Sequence, residues 1–261
     1  MNQYKAYCFD LDGTVYRGKD PIPSAISFIK DLQAQGIEPF YVTNNSSKTR
    51  SQIQHILRTF GVEVPLTHIY SSAFVTAKYI AEHYRNVHVY VIGADGIRQS
   101  LNEEGIQVLS EQEEHADVLV MGIDRTITYD KIAHACKLVQ NGAKLIGTNP
   151  DIQFPSEQYF FPGCGSFVEL VAKVSKVDPL YIGKPSPQLL NFIKKEHKFT
   201  KSEMVMIGDN YRTDILCGIE FGCDTVHVNT GVTPTEQVLT KQIKPTYTIE
   251  NLTYLKKVQD V

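Results

Sequence analysis

The chain has 261 residues, of which 42% are hydrophobic, and its 26 basic and 29 acidic side chains give a net charge of −3. These values are typical of a globular protein with one large domain or two of ordinary size, and the slightly acidic balance argues against a nucleic-acid-binding function. No segment approaches the roughly 18 consecutive apolar residues that span a bilayer, and the first apolar run meets acid at Asp10 and Asp12, unlike a secretory signal. The five cysteines have no CxxC spacing, so neither a disulfide framework nor a zinc ribbon is predicted. We therefore expect a cytoplasmic protein that binds neither membranes nor nucleic acids.

Short apolar runs alternate with amphipathic helical patterns along the chain. This alternation predicts an α/β protein with a parallel sheet, and such sheets bind ligands outside the carboxyl ends of their strands. The clearest helical pattern has four apolar residues at i, i+3, i+4 and i+7, which form one stripe of a helix. They are Ile53, Ile56, Leu57 and Phe60. In chain order, the predicted elements are a strand at 4–9, a helix at 24–35, a strand at 37–43, a helix at 48–60, a strand at 69–70, a helix at 74–84, a strand at 87–92, a helix at 96–104, a strand at 117–121, a helix at 130–140, a strand at 143–147, a helix that starts at Ser186-Pro187, a strand at 204–208, a helix at 213–221 and a strand at 225–229.

Two carboxylates follow the first predicted strand, in the segment Asp10-Leu11-Asp12-Gly13-Thr14. At the end of a buried strand they would repel each other, and each would be costly to desolvate alone. A cation between them relieves both problems, and Gly13 allows a sharp turn that brings the Asp12 carbonyl towards the same cation. The alternative is an acidic turn that caps the next element.

A row of hydroxyl and amide groups follows the second predicted strand: Thr43, Asn44, Asn45, Ser46 and Ser47. Donors at a strand-to-helix turn favour anion binding. The alternative is that the serines cap the following helix while the asparagines turn the chain, and both functions can coexist.

Two later strand ends carry a lysine and two further carboxylates. Pro185 restrains Lys184 towards an extended backbone, which fixes the direction of its side chain. Asp209 directly follows a predicted buried strand, and Asp214 lies in the first turn of the next helix. A lone lysine is usually a solvated surface charge, and Asp214 can simply compensate the helix dipole. Because four strand ends converge in a parallel sheet, their combination instead predicts phosphoryl transfer with Mg²⁺.

The sequence resembles the haloacid dehalogenase superfamily of phosphohydrolases. The long interval between Asn44 and Lys184 narrows the resemblance to the NagD-like branch, which includes acid sugar phosphatases and p-nitrophenylphosphatases. The resemblance covers essentially the whole chain and implies a Rossmann-like doubly wound parallel sheet core at 1–80 and 181–261, with an inserted α/β cap domain at 87–177. The matching motifs are Asp10-Leu11-Asp12-Gly13-Thr14, Thr43-Asn44, Lys184 and Gly208-Asp209 with Asp214.

The resemblance implies a role for each carboxylate. Asp10 would be the nucleophile that forms an aspartyl-phosphate, and Asp12 would protonate the leaving alkoxide and then deprotonate the hydrolytic water. Asp10, the carbonyl of Asp12 and Asp209 would bind Mg²⁺, and Asp214 would orient metal-bound water.

The resemblance also implies how the phosphate is bound. Thr43 and Asn44, with Asn45 beside them, would donate hydrogen bonds to the transferring oxygens. Lys184 would offset the negative charge between these donors and Asp10. The expected partner is a small phosphorylated metabolite, such as a sugar phosphate, an acid-sugar phosphate or a nucleotide, and relatives commonly form homodimers through the cap.

Residues that follow predicted strands in the inserted segment are expected to select the substrate. They are Asp124, Arg125, Asn149 and Asp151, and Arg125 is predicted to bind an anionic substituent such as the carboxylate of an acid-sugar phosphate.

Four other functions share part of this pattern. A phosphomutase or phosphotransferase of the same superfamily differs only in the acceptor of the phosphoryl group. In a receiver-like signalling domain, the phosphoaccepting aspartate and the acidic pair lie on different strands, and that domain is about half this length. A dehalogenase needs neither Asp12 nor Asp209, and a non-catalytic binding module needs no nucleophile.

Overall fold

The structure, a computed structural model, describes residues 4–156 and 159–255. The strands are β1 (Ala6–Phe9), β2 (Tyr16–Arg17), β3 (Asp20–Pro21), β4 (Phe40–Thr43), β5 (Ile69–Ser71), β6 (His88–Ile92), β7 (Gln107–Val108), β8 (Val118–Met121), β9 (Lys144–Gly147), β10 (Gln153–Ser156), β11 (Tyr159–Pro162), β12 (Leu180–Tyr181), β13 (Met204–Gly208), β14 (Asp224–Val228) and β15 (Tyr247–Ile249). The α-helices are α1 (Pro23–Ala34), α2 (Arg50–Thr59), α3 (Ser72–His83), α4 (Asp95–Glu103), α5 (Tyr129–Gln140), α6 (Cys164–Ser175), α7 (Gln188–His197), α8 (Leu216–Phe221) and α9 (Thr235–Leu239). Shorter helical turns occupy Leu66–His68, Lys201–Glu203 and Tyr211–Ile215.

The chain forms two compact units. The domain boundaries predicted from the sequence stay a prediction. They differ from the two units mainly at α3, which was predicted to belong to the core and lies in the second unit. The first unit comprises the described residues of Met1–Thr43, Ser51–Tyr70 and Lys184–Val261, and the second unit comprises Asn44–Arg50 and the described residues of Ser71–Gly183.

The first unit contains a six-stranded sheet in the order β15-β14-β13-β1-β4-β5. The central strand β1 runs parallel to β13 and to β4, and β14 and β15 continue the parallel pairing. Every residue of β1 and β13 is buried, as expected for central strands whose two faces are both covered. The predicted α/β class with a parallel sheet is confirmed.

The stripe predicted for the second helix faces the core of the first unit. Ile53 and Leu57 are buried, and Ile56 and Phe60 pack against the same core. This core includes aromatic side chains from β1 and α1, such as Phe9.

Several predicted elements begin later than expected, and two of these late starts have a local cause. The second strand begins at Phe40 instead of residue 37, because Pro39 has no N–H to donate to a neighbouring strand. Helix α7 begins at Gln188, since the Pro187 carbonyl accepts a helical hydrogen bond from Asn191 N at 2.9 Å and Pro187 therefore precedes the helix.

The second unit contains a five-stranded sheet in the order β12-β9-β8-β6-β7, with parallel pairing, and an antiparallel ribbon of β10 and β11. Helix α6 was not predicted, although its buried residues at i, i+4, i+7 and i+8 carry a helical signal. They are Cys164, Val168, Val171 and Ala172. Among the helices of residues 4–156 and 159–255, none is both long enough and apolar enough to cross a membrane.

Candidate active site

The sheet of the first unit brings three of the predicted strand-end residues to one edge. Asp10 follows β1 and Asp209 follows β13, and the two strands are neighbours whose register pairs Phe9 with Ile207. This pairing continues one residue further, because Asp10 N donates to Ile207 O at 2.8 Å. Thr43 is the buried last residue of β4, on the other side of β1.

Lys184 lies at the centre of the site, with only 1% of its surface exposed. Its ammonium donates to Asp10 Oδ1 at 2.6 Å and to the Val42 carbonyl at 2.9 Å. It also pairs with Asp214 Oδ1 at 2.8 Å. A charge removed from water in this way requires close partners, so the two carboxylates and the carbonyl hold Lys184 in place.

The electrostatics of the site are dominated by burial. Burial, and then the charge of Asp214, raise the pKa of Asp10 well above its usual range, although Lys184 acts in the opposite direction. Burial and Asp214 also raise the pKa of Asp209 to about 6. Burial would lower the pKa of Lys184, but the charges of Asp10 and Asp214 outweigh it and the pKa is raised. Three buried carboxylates beside one ammonium favour the binding of a further cation.

Asp209 is fixed by backbone and hydroxyl groups that the sequence analysis did not identify. Thr14 Oγ1 donates to Asp209 Oδ1 at 3.0 Å, and Val232 N donates to Asp209 Oδ2 at 2.5 Å. The carboxylate lies so close to the backbone that a Cβ at Gly13 would stand 2.5 Å from Oδ2, and a Cβ at Gly231 would overlap it as well. The glycine and threonine of the first motif therefore determine where the Asp209 carboxylate lies. A search for polar residues alone would not find the contribution of the glycine.

The acidic residues fit an oxygen-liganded divalent cation. One carboxylate oxygen from each of three buried residues lies within 4.8 Å of the others: Asp10, Asp209 and Asp214. Oxygen ligands of this kind suit Mg²⁺, whose double charge would balance the carboxylates that Lys184 leaves uncompensated.

Asp12 differs from Asp10 because it is exposed. The chain turns sharply after it, and Val15 N and Tyr16 N both donate to the Leu11 carbonyl, at 2.8 and 3.1 Å. An exposed carboxylate two residues from a buried one can exchange protons with water.

Asn44 and Asn45 both belong to the second unit, and their side chains have different hydrogen-bond partners. Asn44 Nδ2 donates to Asp151 Oδ2 at 3.0 Å. Asn45 Oδ1 accepts from Ser47 N at 3.0 Å and from Lys48 N at 3.1 Å, which is the turn-forming function that the sequence analysis left open. The phosphate-binding function of both residues stays a prediction.

Two of the residues expected to select the substrate have local contacts within the second unit. Asp124 accepts from Thr126 N at 2.7 Å and pairs with Lys131 at 2.9 Å, so it stabilises its own loop. The Arg125 guanidinium lies 6.0 Å from the centre of the Phe154 ring. The other two, Asn149 and Asp151, contact Asn44.

Known proteins are similar to this chain over nearly its whole length. Residues 7–107 match the family described as haloacid dehalogenase-like hydrolase, and residues 181–255 match one described as HAD-hydrolase-like. An acid sugar phosphatase of Staphylococcus epidermidis is 41% identical over 252 residues, which cover 97% of this chain and 96% of the relative. The chain belongs to the haloacid dehalogenase-like hydrolases. The resemblance inferred from the motifs is thereby confirmed.

Solved structures of this hydrolase family have the same fold. A p-nitrophenyl phosphatase from Archaeoglobus fulgidus is 29% identical and superposes with a TM-score of 0.92 over 98% of this chain and all of its own. A thermostable NPPase from Geobacillus stearothermophilus, solved as a double mutant, is 39% identical with a TM-score of 0.88, over 97% of this chain and 98% of its own. The predicted Rossmann-like fold and phosphatase class are confirmed.

Proposed function

We propose that this hydrolase is a Mg²⁺-dependent phosphatase that hydrolyses phosphomonoesters of small metabolites through an aspartyl-phosphate at Asp10. The observation that carries the proposal is the contact of Asp10 with Lys184 at 2.6 Å, inside a group of three buried carboxylates. The ammonium opposes the rise in the pKa of Asp10, so it helps to keep this carboxylate ionised as a nucleophile.

The first step transfers the phosphoryl group to the enzyme. A carboxylate oxygen of Asp10 bonds to phosphorus as the bond between phosphorus and the ester oxygen breaks. Asp12, in its protonated form, gives its proton to the leaving oxygen, so an alcohol departs. Thr43, Asn44 and Lys184 donate to the phosphoryl oxygens, where negative charge must be stabilised.

The second step releases phosphate. The Asp12 carboxylate removes a proton from a water molecule, whose oxygen bonds to phosphorus while the bond to Asp10 breaks. Inorganic phosphate leaves, and both aspartates return to their starting protonation states. The exposed position of Asp12 supports this exchange of protons.

Asp10, the carbonyl of Asp12 and Asp209 would hold Mg²⁺, and Asp214 would orient its water. When bound, the ion supplies positive charge that polarises the phosphoryl group. The fixed position of Asp209, which accepts from Thr14 and Val232 N, supports its assignment as a metal ligand.

The substrate class follows from the relatives. The acid sugar phosphatase at 41% identity favours sugar and acid-sugar phosphates, and nucleotides are a second class to test. A cytoplasmic location and a homodimer formed through the inserted segment stay part of the proposal.

A panel of phosphoesters tests the function. The full chain with Mg²⁺ is given acid-sugar phosphates, neutral sugar phosphates and nucleoside monophosphates, and kcat/KM is ranked from the release of inorganic phosphate. Release of phosphate with every productive ester supports a phosphatase. An isomerised sugar phosphate without inorganic phosphate would identify a phosphomutase, and a phosphoprotein that persists after the phosphodonor is removed would identify a receiver-like acceptor.

A further inference from the structure

Asn44 is held by three polar side chains, which come from two other segments of the second unit. Ser72 Oγ and Asn149 Nδ2 both donate to the Asn44 carbonyl, each at 2.8 Å. Asp151 Oδ2 accepts from the Asn44 side-chain amide at 3.0 Å. Hydrogen bonds thus hold both the backbone carbonyl and the side-chain amide of this residue.

Two of the three residues that hold Asn44 are buried, and Asp151 is half-buried. Ser72 is fully buried at the start of α3, and Asn149 is buried just after β9. Asn149 also links the two sets of contacts, because its Oδ1 accepts from Asp151 N at 3.1 Å while its Nδ2 donates to Asn44. Gly183 also lies close to the Asn44 side chain. A Cβ at this position would stand 2.6 Å from Asn44 Oδ1.

The contact with Asp151 determines which way the Asn44 amide points. A carboxylate only accepts hydrogen bonds, so the NH₂ group of Asn44, and not its oxygen, must face Asp151. A rotation of the amide by half a turn would place two acceptors against each other. A hydrogen bond to a charged acceptor is also stronger than a neutral one.

We propose that Ser72, Asn149 and Asp151 are positioning residues that hold the Asn44 amide in the orientation needed to bind the phosphoryl group. This inference rests on the phosphate-binding function of Asn44 proposed above. It differs from the expectation that Asn149 and Asp151 select the leaving group by direct contact, and that expectation stays a prediction. These residues act on the substrate only through Asn44. Their removal should therefore lower kcat/KM by the same factor for every substrate.

A double-mutant cycle tests the inference. Asp151→Ala is combined with Asn44→Ala, and kcat/KM with p-nitrophenyl phosphate is measured together with inhibition by inorganic phosphate. We expect Asp151→Ala alone to lower kcat/KM by about tenfold or more, because a small displacement of a binding group is costly. In the Asn44→Ala background the same change should cost no more than about twofold, because the two residues act as one unit. The inhibition constant of phosphate should rise in parallel with the loss of kcat/KM.

Rescue by a conservative variant separates positioning from a general structural function. Asp151→Asn keeps an acceptor oxygen for the Asn44 amide, so it should recover most of the activity that Asp151→Ala loses. Asp130→Ala is the matched control, since it removes an exposed carboxylate from the same unit. If Asp151→Ala does not fold, the same cycle is run with Ser72→Ala, and Ser72→Thr serves as the rescue.

The outcomes distinguish the two proposals. An equal loss from Asp151→Ala with and without Asn44 would overturn the positioning function, and so would a loss that depends on the leaving group. If Asn44→Ala alone retains full activity and full phosphate inhibition, then the phosphate-binding function of Asn44 is wrong, and the inference fails with it.

Discussion

Lys184 Nζ lies 2.6 Å from Asp10 Oδ1, although the two residues are 174 positions apart in the sequence. The same ammonium is 2.8 Å from Asp214 Oδ1, so one buried cation links the first and last motifs of the site. This arrangement makes Lys184 important for both stability and activity.

Replacement of Lys184 by Met should therefore destabilise the first unit and abolish turnover. The change leaves Asp10 and Asp214 without their buried ammonium, and the loss of one partner from a buried pair typically costs about 3–5 kcal/mol. The free energy of unfolding from urea denaturation measures the effect. Lys194→Met, at an exposed position of α7, is the control and should change this free energy little. If both variants unfold at the same urea concentration as the unaltered chain, Lys184 does not have this function.

Removal of divalent metal should stop turnover and lower thermal stability. An ion that binds only the folded chain stabilises it, and the stabilisation grows with the logarithm of the ion concentration once that concentration exceeds Kd. The unfolding temperature therefore rises as the ion is added. We expect Mg²⁺ to raise this temperature in the unaltered chain and to have much less effect in Asp209→Asn. Ca²⁺ should support turnover poorly, since it favours more ligands and looser geometry. Equal rates of phosphate release in excess chelator would contradict the metal requirement.

The loss of activity in Asp12→Ala should depend on the leaving group. An alkyl phosphate needs a proton on its departing oxygen, so kcat should fall by about 10²–10⁴. p-Nitrophenyl phosphate releases a stable phenolate, and its phosphoryl transfer to Asp10 should be much less affected. A pre-steady-state burst of p-nitrophenolate followed by slow phosphate release is the expected signature, because the second step still lacks its base. Equal losses in the burst rates of both esters would show that Asp12 is not the acid.

Gly13→Ala tests the close approach between the first motif and Asp209. Gly13 has a φ of +96°, and an added Cβ would stand 2.5 Å from the Asp209 carboxylate. Gly142 has a similar φ of +106° with no neighbour within 4 Å of an added Cβ, so Gly142→Ala has the backbone strain without the collision. We expect Gly13→Ala to weaken Mg²⁺ binding, measured by calorimetry, while Gly142→Ala leaves it unchanged. Equal Mg²⁺ affinities in the two variants would contradict the importance of this contact.

The sequence predicted the features that depend on local pattern. The stripe from Ile53 to Phe60 faces the core, and Asp10 and Asp209 each directly follow a buried strand, because hydrophobic patterns are set by neighbouring residues. That these two strands are adjacent depends on distant parts of the chain and was not predicted. The contact between Lys184 and Asp214 was not foreseen, since the sequence shows only that both lie near strand ends.

Contacts that depend on chain packing could not be predicted in this way. The Val232 backbone amide that binds Asp209 has no side-chain signal at all. Asn149 and Asp151 are predicted to select the substrate because they follow a predicted strand, and that prediction stays open. Nothing in the sequence indicates that both residues also contact Asn44. Secondary structure was missed for a different reason in each case. Helix α6 has a helical pattern of apolar residues that could have been recognised, whereas β12 has only two residues and is too short to show the alternation of a strand.

The central claim is that Asp10 carries the phosphoryl group, and Asp10→Asn tests it most directly. This variant is compared with the unaltered chain in Mg²⁺ for release of inorganic phosphate from p-nitrophenyl phosphate, after thermal unfolding has shown that it folds. The account predicts a loss of at least about a thousandfold in kcat, as expected when a covalent nucleophile is removed. A folded Asp10→Asn protein that releases phosphate at the original rate would contradict it.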